Sequence, residues 1–180
     1  TYQLYRTDRL DLLKESLEIA KKKGFYLGAK LVRGAYHEKE QKRAAKMGYK
    51  SPVFDTIEET HQEFNDTVKF CVENIDRIML FMGTHNHFSN EYLMKLIDEH
   101  GLPKNHPHIW FSQLYGMCDH ITYNLGADGY NVCKYIPYGR VKIVIPYLLR
   151  RAEENSSITS AADIEIQLIK EEIRRRKETK

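Results

Sequence analysis

The fold is decided by the stretch FYLGAKLVRGAY, residues 25–36. Residues 25–32 predict a short apolar strand, and Gly34 and Ala35 end it. A charged helical stretch, His37 to Lys46, follows directly. A strand this short and apolar is expected to be buried on both faces, in a parallel sheet covered by helices.

The order of strand and then helix recurs along the chain. Further strands are predicted at Arg77–Met82, from Ile109 to Phe111 and at Asn131–Ile136. Helices are predicted at Asp8–Lys23, Thr56–Asn74, from Ser89 as the N-cap to His100, Cys118–Leu125, Arg140–Glu154 and about Ala162–Lys177. The chain has no Gly-rich phosphate loop, so nothing supports a Rossmann or P-loop fold.

Four βα units make half of an eight-stranded barrel. Half a barrel leaves two free sheet edges and an uncovered interior. We therefore expect an α/β fold that is the C-terminal half of a (β/α)₈ barrel. Residues 1–180 would form one partial domain, with the barrel elements in 1–160 and a C-terminal helix in 161–180. The other strands could belong to another chain, two copies could pair, or the sheet could be open.

The composition excludes several classes of protein function. There are 28 Lys and Arg against 25 Asp and Glu, and a net charge of +3 is too small to indicate nucleic-acid binding. Three scattered cysteines form no disulfide framework and no CxxC metal motif, which favours a reducing compartment. No apolar run approaches the roughly 20 residues of a spanning helix. The chain begins with Thr1, without a signal peptide, which suggests a processed or trimmed piece.

Polar residues follow each predicted strand, at the end where parallel sheets build their sites. Lys30 lies inside the first apolar strand, where it either extends to water or faces an anion or electron-rich ring in the barrel. Arg33 and Tyr36 end that strand around Gly34 and Ala35, two small residues that would let the backbone approach a flat cofactor.

The next strand ends in Thr84-His85-Asn86, which supplies a hydroxyl, an imidazole and an amide. Gln113-Leu114-Tyr115-Gly116 and Lys134-Tyr135 follow the later strands. Each group alone could simply start a loop. Their recurrence at the same end of successive strands favours a site.

Two further patterns have competing interpretations. Arg150 and Arg151 are spaced to pair with Glu154 on a helix surface, but adjacent guanidinium groups can also clamp a carboxylate. His85 and His87 could ligate a metal in a barrel hydrolase, although no Asp completes a ligand set and the second HxH pair, His106 and His108, starts a strand.

Five blocks together resemble the proline dehydrogenase family in order and spacing. They are KLVRGAY (30–36), THN (84–86), QLYGM (113–117), KYIPYG (134–139) and RRAEEN (150–155). The first block is similar to that of the mitochondrial-type monofunctional enzymes and their bacterial relatives. The large bifunctional bacterial proteins favour Arg at the position of Lys30.

The resemblance implies that FAD binds over the C-terminal ends of the strands, with L-proline against the flavin. It assigns the proline carboxylate to Arg150 and Arg151, the proline ring to Tyr135, and the pocket walls to Leu114 and Tyr36. The positions that it assigns to flavin contact or support are Gln3, Lys30, Arg33, Gly34, Ala35, Thr84, His85, Asn86, Gln113 and Glu154. It implies no metal.

The resemblance also implies the reaction and its setting. Proline would give a hydride to FAD and become 1-pyrroline-5-carboxylate, with a membrane quinone as the final electron acceptor. The protein would lie in the cytoplasm against the inner membrane of a bacterium, or at the mitochondrial inner membrane or matrix of a eukaryote, in peripheral contact with lipid. The family's further Asp and Lys lie on earlier strands, so the chain alone would be inactive. The helix with Arg150 would cross the top of the barrel.

Overall fold

The computed structural model describes the backbone of residues 1–156 and 159–178, and the side chains of residues 1–151 and 166–178. The strands are β1 (Tyr2–Gln3), β2 (Leu27–Val32), β3 (Ile78–Gly83), β4 (Ile109–Leu114) and β5 (Val132–Tyr135). The helices are α1 (Arg9–Lys23), α2 (His37–Met47), α3 (Ile57–Glu73), α4 (His87–Glu99), α5 (Asp119–Ala127), α6 (Val141–Ser156) and α7 (Thr159–Glu178).

All five strands are parallel and pair in chain order, from β1 to β5. A doubly wound sheet would reverse its strand order once. Crossovers between parallel strands are right-handed, so sequential order puts the connecting helices on one face of the sheet. This is how the units of a (β/α)₈ barrel are arranged, which confirms the predicted α/β class.

The two faces of the sheet differ in burial. Leu31, Leu80 and Phe111 point toward the helices and are fully buried. Met79, which follows the opposite alternation, is 46% exposed. The prediction that the strands are buried on both faces is therefore wrong for the described residues. The sheet has instead the uncovered interior expected of half a barrel, because sequential crossovers leave one side of the sheet without helices. We call that side the open face; in a closed barrel it would be the interior.

The core lies between the sheet and the helices. Leu17 of α1, Phe64 of α3 and Ile97 of α4 pack with the buried strand residues. Apolar burial of this kind contributes about 25 cal/mol per Å², so the helix side supplies most of the stability. The open face carries the residues that are free to meet a ligand.

The boundary of α4 differs from the sequence expectation. Asn86, and not Ser89, is the N-cap, because the Asn86 side chain accepts a hydrogen bond from the Ser89 N–H at 2.9 Å. The Ser89 side chain is buried instead and bonds to other elements. The first turn of α4 is thereby fixed at the carboxyl end of β3.

Candidate functional site

The register of the sheet places four of the predicted site residues on the open face. Lys30 pairs with Phe81, and Leu114 pairs with Tyr135. Gln3 pairs with Val32, which alternates with Lys30 on the same side. Paired residues of a parallel sheet point to the same face, and every second residue of a strand does so too. Gln3, Lys30, Leu114 and Tyr135 therefore share the open face.

Lys30 and Tyr135 meet across this face. The Lys30 Nζ lies 4.4 Å from the centre of the Tyr135 ring and 5.1 Å from that of Phe81. Strands β2 and β5 are separated by two others, or about 14 Å in a flat sheet. Contact over that span fits a face that curves inward, as the inside of a barrel does.

The charge of Lys30 is held by aromatic rings. Burial lowers the pKa of Lys30 below its usual value of 10.5. Ring faces attract a cation, and the attraction grows when water is excluded. Lys30 makes no ion pair with a carboxylate among the described side chains. The ammonium is therefore available to a ligand that carries or develops negative charge.

Helix α6 brings two arginines to the same region. The Arg151 Cζ lies 5.3 Å from the centre of the Tyr147 ring, which in turn lies 6.3 Å from the Tyr135 ring. The Arg150 Cζ lies 5.9 Å from the centre of the Tyr36 ring, just beyond the end of β2. Helix α6 thus lies near the carboxyl ends of the strands, on the side where Tyr135 lies. An α6 on the opposite side would have excluded a role in the same site.

The guanidinium of Arg150 has unused bonding capacity. Its Nε is buried and has no hydrogen-bond partner among the described residues. Buried donors normally find an acceptor, so an unpaired one calls for an explanation such as a missing ligand. Glu154, the predicted partner of both arginines, has a side chain outside the described residues.

Arg33 lies on the other side of the sheet. Its Nε donates to His61 Nδ1 at 2.8 Å, its Nη1 to Thr84 Oγ1 at 2.7 Å and its Nη2 to Ser89 Oγ at 2.8 Å. Its Cζ lies 4.3 Å from the Phe64 ring centre. Burial lowers the pKa of Arg33 to about 10, which leaves it cationic at neutral pH.

The turn Thr84-His85-Asn86 is fixed by hydrogen bonds at each residue. Thr84 Oγ1 accepts from the Asn86 N–H at 3.1 Å, in addition to Arg33. His85 Nε2 accepts from the Leu114 N–H at 3.0 Å, which ties the turn to the end of β4. His85 therefore carries no proton on Nε2. These bonds hold the turn in one conformation at the carboxyl end of the sheet.

Gln113 also points to the helix side, where it is almost fully buried. Its Nε2 lies 3.3 Å from Thr84 O, and its Oε1 accepts from Thr122 Oγ1 at 2.8 Å. The resemblance suggested that Arg33 and Gln113 contact or support the flavin. Their side chains face away from the open face and are held by protein groups, a geometry that suits a supporting role.

The backbone at Gly34 lies close to a ring of the chain itself. Gly34 has φ +108°, and a Cβ there would lie 1.8 Å from Tyr5 Cδ1. The flat ring that this backbone approaches is thus the buried Tyr5 of the chain itself. Ala35 follows in the same turn and is half-buried.

Two supporting residues were not found from the sequence. His61 is one residue among several polar ones in α3, and no local pattern marks it as a partner of Arg33. Lys134 was noted only as a strand-end residue. Its Nζ donates to Met117 O at 2.6 Å and lies 2.7 Å from Asp119 Oδ1, so it anchors the loop that follows β4.

The alternative of a metal site finds no support in the geometry. His85 accepts a backbone hydrogen bond, while the exposed His87 lies 3.2 Å from Glu91 one turn along α4. His106 and His108 contact each other at the amino end of β4. Nowhere in the described residues do three or more His, Cys, Asp or Glu side chains gather as metal ligands.

Within the same residues, every helix is too short or too polar to cross a bilayer.

Comparisons with known proteins agree on one family. A family model described as proline dehydrogenase matches residues 1–163. The chain is 42% identical over 179 residues to the mitochondrial proline dehydrogenase 2 of Arabidopsis thaliana, covering 98% of this chain and 38% of that protein. It is 38% identical over 180 residues to the hydroxyproline dehydrogenase of Xenopus laevis, covering 98% of this chain and 39% of that protein.

A solved structure shows the same fold. Proline utilization A (PutA) from Bdellovibrio bacteriovorus, inactivated by N-propargylglycine, superposes with a TM-score of 0.81 at 29% identity. The match covers 89% of this chain and 16% of that one. The chain thus spans less than two fifths of the two curated relatives and a smaller share of the solved structure.

The packing of Tyr5 on Gly34 can be tested directly. Gly34→Ala should lower the free energy of unfolding by at least about 2 kcal/mol, because it adds a clash to a backbone conformation that is strained for Ala. Gly28→Ala is the matched control, since a Cβ at Gly28 meets nothing within 4 Å. Urea denaturation measures both. Equal stability of the two variants would contradict the packing described here.

Proposed function

Because the chain belongs to the proline dehydrogenase family, we propose that it forms the C-terminal half of a barrel that oxidises L-proline to 1-pyrroline-5-carboxylate. FAD is the proposed hydride acceptor. The observation that carries the proposal is the convergence of Lys30, Tyr135, Arg150 and Arg151 at the carboxyl ends of the strands.

The open face suits a flat, electron-accepting ring. Phe81, Trp110 and Tyr135 give it a largely apolar surface, on which Lys30 supplies a positive charge. When bound, FAD supplies the redox chemistry by taking a hydride from the substrate. Lys30 would stabilise the negative charge that follows, because a positioned cation in a site with little water acts strongly on developing charge.

The substrate would lie between that face and α6. Arg150 and Arg151 would bind the proline carboxylate through forked hydrogen bonds, and the unpaired Nε of Arg150 supports this role. Tyr135 would pack on the pyrrolidine ring, with Leu114 and Tyr36 as walls. Fixing the carboxylate at one end orients the ring carbon next to nitrogen, which is the carbon that gives up the hydride.

The supporting residues would keep the edge of the sheet in place. Gln3, on the open face of β1, and Thr84-His85-Asn86, at the end of β3, are the proposed cofactor contacts. Arg33, Gly34, Ala35 and Gln113 would hold these segments from behind, and Glu154 would orient the arginines.

The rest of the barrel is proposed to come from the same protein or a separate chain. Strands β1 and β5 each have one neighbour in the described sheet, so both edges are available for pairing. Closing the barrel would cover the open face and add the family's Asp and Lys. We use the term complete barrel for this chain together with that missing half. The chain alone would be inactive.

The final electron acceptor is proposed to be a quinone at a membrane surface. The basic run Arg174-Arg175-Arg176-Lys177 ends α7 and is exposed. Two of its arginines already pair with Glu172 at 2.7 and 2.8 Å, so a solvated helix end explains most of the run. The name of one relative, a mitochondrial enzyme, supports a mitochondrial location. The finer proposal is the inner membrane or matrix in a eukaryote, and the inner membrane if the protein is bacterial.

Replacing either clamp arginine should weaken proline binding. In the complete barrel, Arg150→Met or Arg151→Met should raise the KM for proline roughly 100-fold, because a desolvated carboxylate loses a charged partner. Arg174→Met removes an exposed arginine of α7 and should leave the KM unchanged. Steady-state proline oxidation measures all three. An unchanged KM in both clamp variants would exclude the proposed site.

Tyr135 should decide between proline and hydroxyproline. The family's hydroxyproline enzymes tend to carry a smaller residue here, so Tyr135→Ser should make room for the added hydroxyl group. We expect the ratio of kcat/KM for hydroxyproline to that for proline to rise about tenfold or more. Tyr135→Phe, which keeps the ring, should leave the ratio near its original value. A ratio that does not change in the Ser variant would remove Tyr135 as the specificity residue.

A further inference from the structure

The Arg33 guanidinium joins four elements of the fold. Arg33 directly follows β2, and in α3 it bonds to His61 and stacks on Phe64. It also bonds to Thr84 after β3 and to Ser89 in α4. The Ser89 hydroxyl in turn donates a hydrogen bond to Asn65 Oδ1 at 2.9 Å. A single cation therefore sets the positions of the segments that end β2 and β3 and begin α4.

All the acceptors of this cation are neutral. Within the described part of the chain, no carboxylate lies within ion-pairing distance of Arg33. A buried charge is costly unless hydrogen bonds replace its lost water, and removing one partner leaves a buried donor unsatisfied. Each of the three hydrogen bonds therefore matters to the position of the guanidinium.

The bond to His61 depends on the protonation state of the imidazole. Arg33 Nε donates to His61 Nδ1, so that nitrogen must carry a lone pair. A protonated ring would oppose one N–H to another and place two cations side by side. Burial lowers the pKa of His61, Arg33 lowers it further, and Glu58 in the same helix acts in the opposite direction. Thr84 and Ser89, on the other elements at Arg33, are uncharged.

We infer that His61 is a positioning residue: as a neutral imidazole it holds Arg33, and through Arg33 it fixes Thr84 and the first turn of α4. Thr84 in turn accepts from the Asn86 N–H, and Asn86 caps α4. A shift of Thr84 would therefore move the whole turn from Thr84 to Asn86. The effect on the cofactor rests on the proposed function, since it requires that this turn contacts FAD.

The sign of the pH dependence follows from the direction of the shift. The pKa of His61 in the folded protein lies below its usual value of 6.5. The contribution of the His61 bond is then fully present above that value, and it is lost as pH falls through the folded pKa. The hydrogen bond between Arg33 and His61 should therefore weaken when the pH falls below neutral, and it should not weaken when the pH rises.

Two substitutions separate the hydrogen bond from the titration. His61→Asn places an amide oxygen close to the position of Nδ1, so it keeps an acceptor that does not titrate. His61→Leu removes the acceptor and keeps apolar volume. His106→Asn is the control, because burial also lowers the pKa of His106, which lies near the amino end of β4, far from the site.

The experiment uses the complete barrel, from about pH 8 to about pH 5. The first measurement is the Kd of FAD by fluorescence quenching. The second is hydrogen–deuterium exchange of the backbone amides of residues 84–90 without FAD, corrected for the intrinsic pH dependence of exchange. The second measurement does not depend on the proposed function.

The wild type and His106→Asn should lose FAD affinity on the order of tenfold below pH 6.5, with faster exchange in residues 84–90. His61→Asn should bind tightly without that loss, and His61→Leu should show the weak, fast-exchanging state at every pH. An acid loss in His61→Asn equal to that of the wild type, or tight binding by His61→Leu, would overturn the inference. If no form binds FAD, the proposed function fails, and the exchange data alone decide the role of His61.

Discussion

The parallel pairing of five strands in chain order is the constraint on which the rest of the structure depends. It brings the carboxyl ends of β1 to β5 to one edge, and it makes residues of paired strands alternate together between two faces. Lys30 and Tyr135 are 105 positions apart in sequence, yet they share a face because of this register. The helices cover the other face, so the candidate site and the apolar core lie on opposite sides of one sheet.

The two sides meet at the carboxyl edge of the sheet, where hydrogen bonds between polar groups, and not apolar packing, hold the segments in place. Arg33 and Gln113 extend behind the edge and bond to Thr84 and its neighbours. Lys134 does the same for the loop after β4. Such networks have directional geometry, so they fix the turns that carry the proposed contacts more tightly than apolar contacts would. Functional sites need this second layer to hold the residues that touch ligands.

The class of fold, and the edge of the sheet where polar residues gather, could both be predicted from the sequence. Both follow from the spacing of the apolar residues and from the Gly and Pro residues that end the elements. Lys30 could be placed inside a strand, Leu114 and Tyr135 could be placed at the ends of strands, and the family resemblance supplied their roles. It could not be predicted that the side chains of Arg33 and Gln113 point toward the helices, because a shift of one residue along a strand moves a side chain to the opposite face of the sheet. His61 could not be found either, since its partner lies 28 positions away. Ser89 was mistaken for a cap that Asn86 provides, because both residue types favour that position.

We propose that this face, once the barrel is complete, binds FAD and presents it to proline. The most direct test is the visible absorption spectrum of the complete barrel with FAD, recorded before and after proline is added without oxygen. We expect flavin bands that are shifted by the protein environment and that bleach when proline is added. Bound flavin whose spectrum is unchanged by proline would contradict the claim.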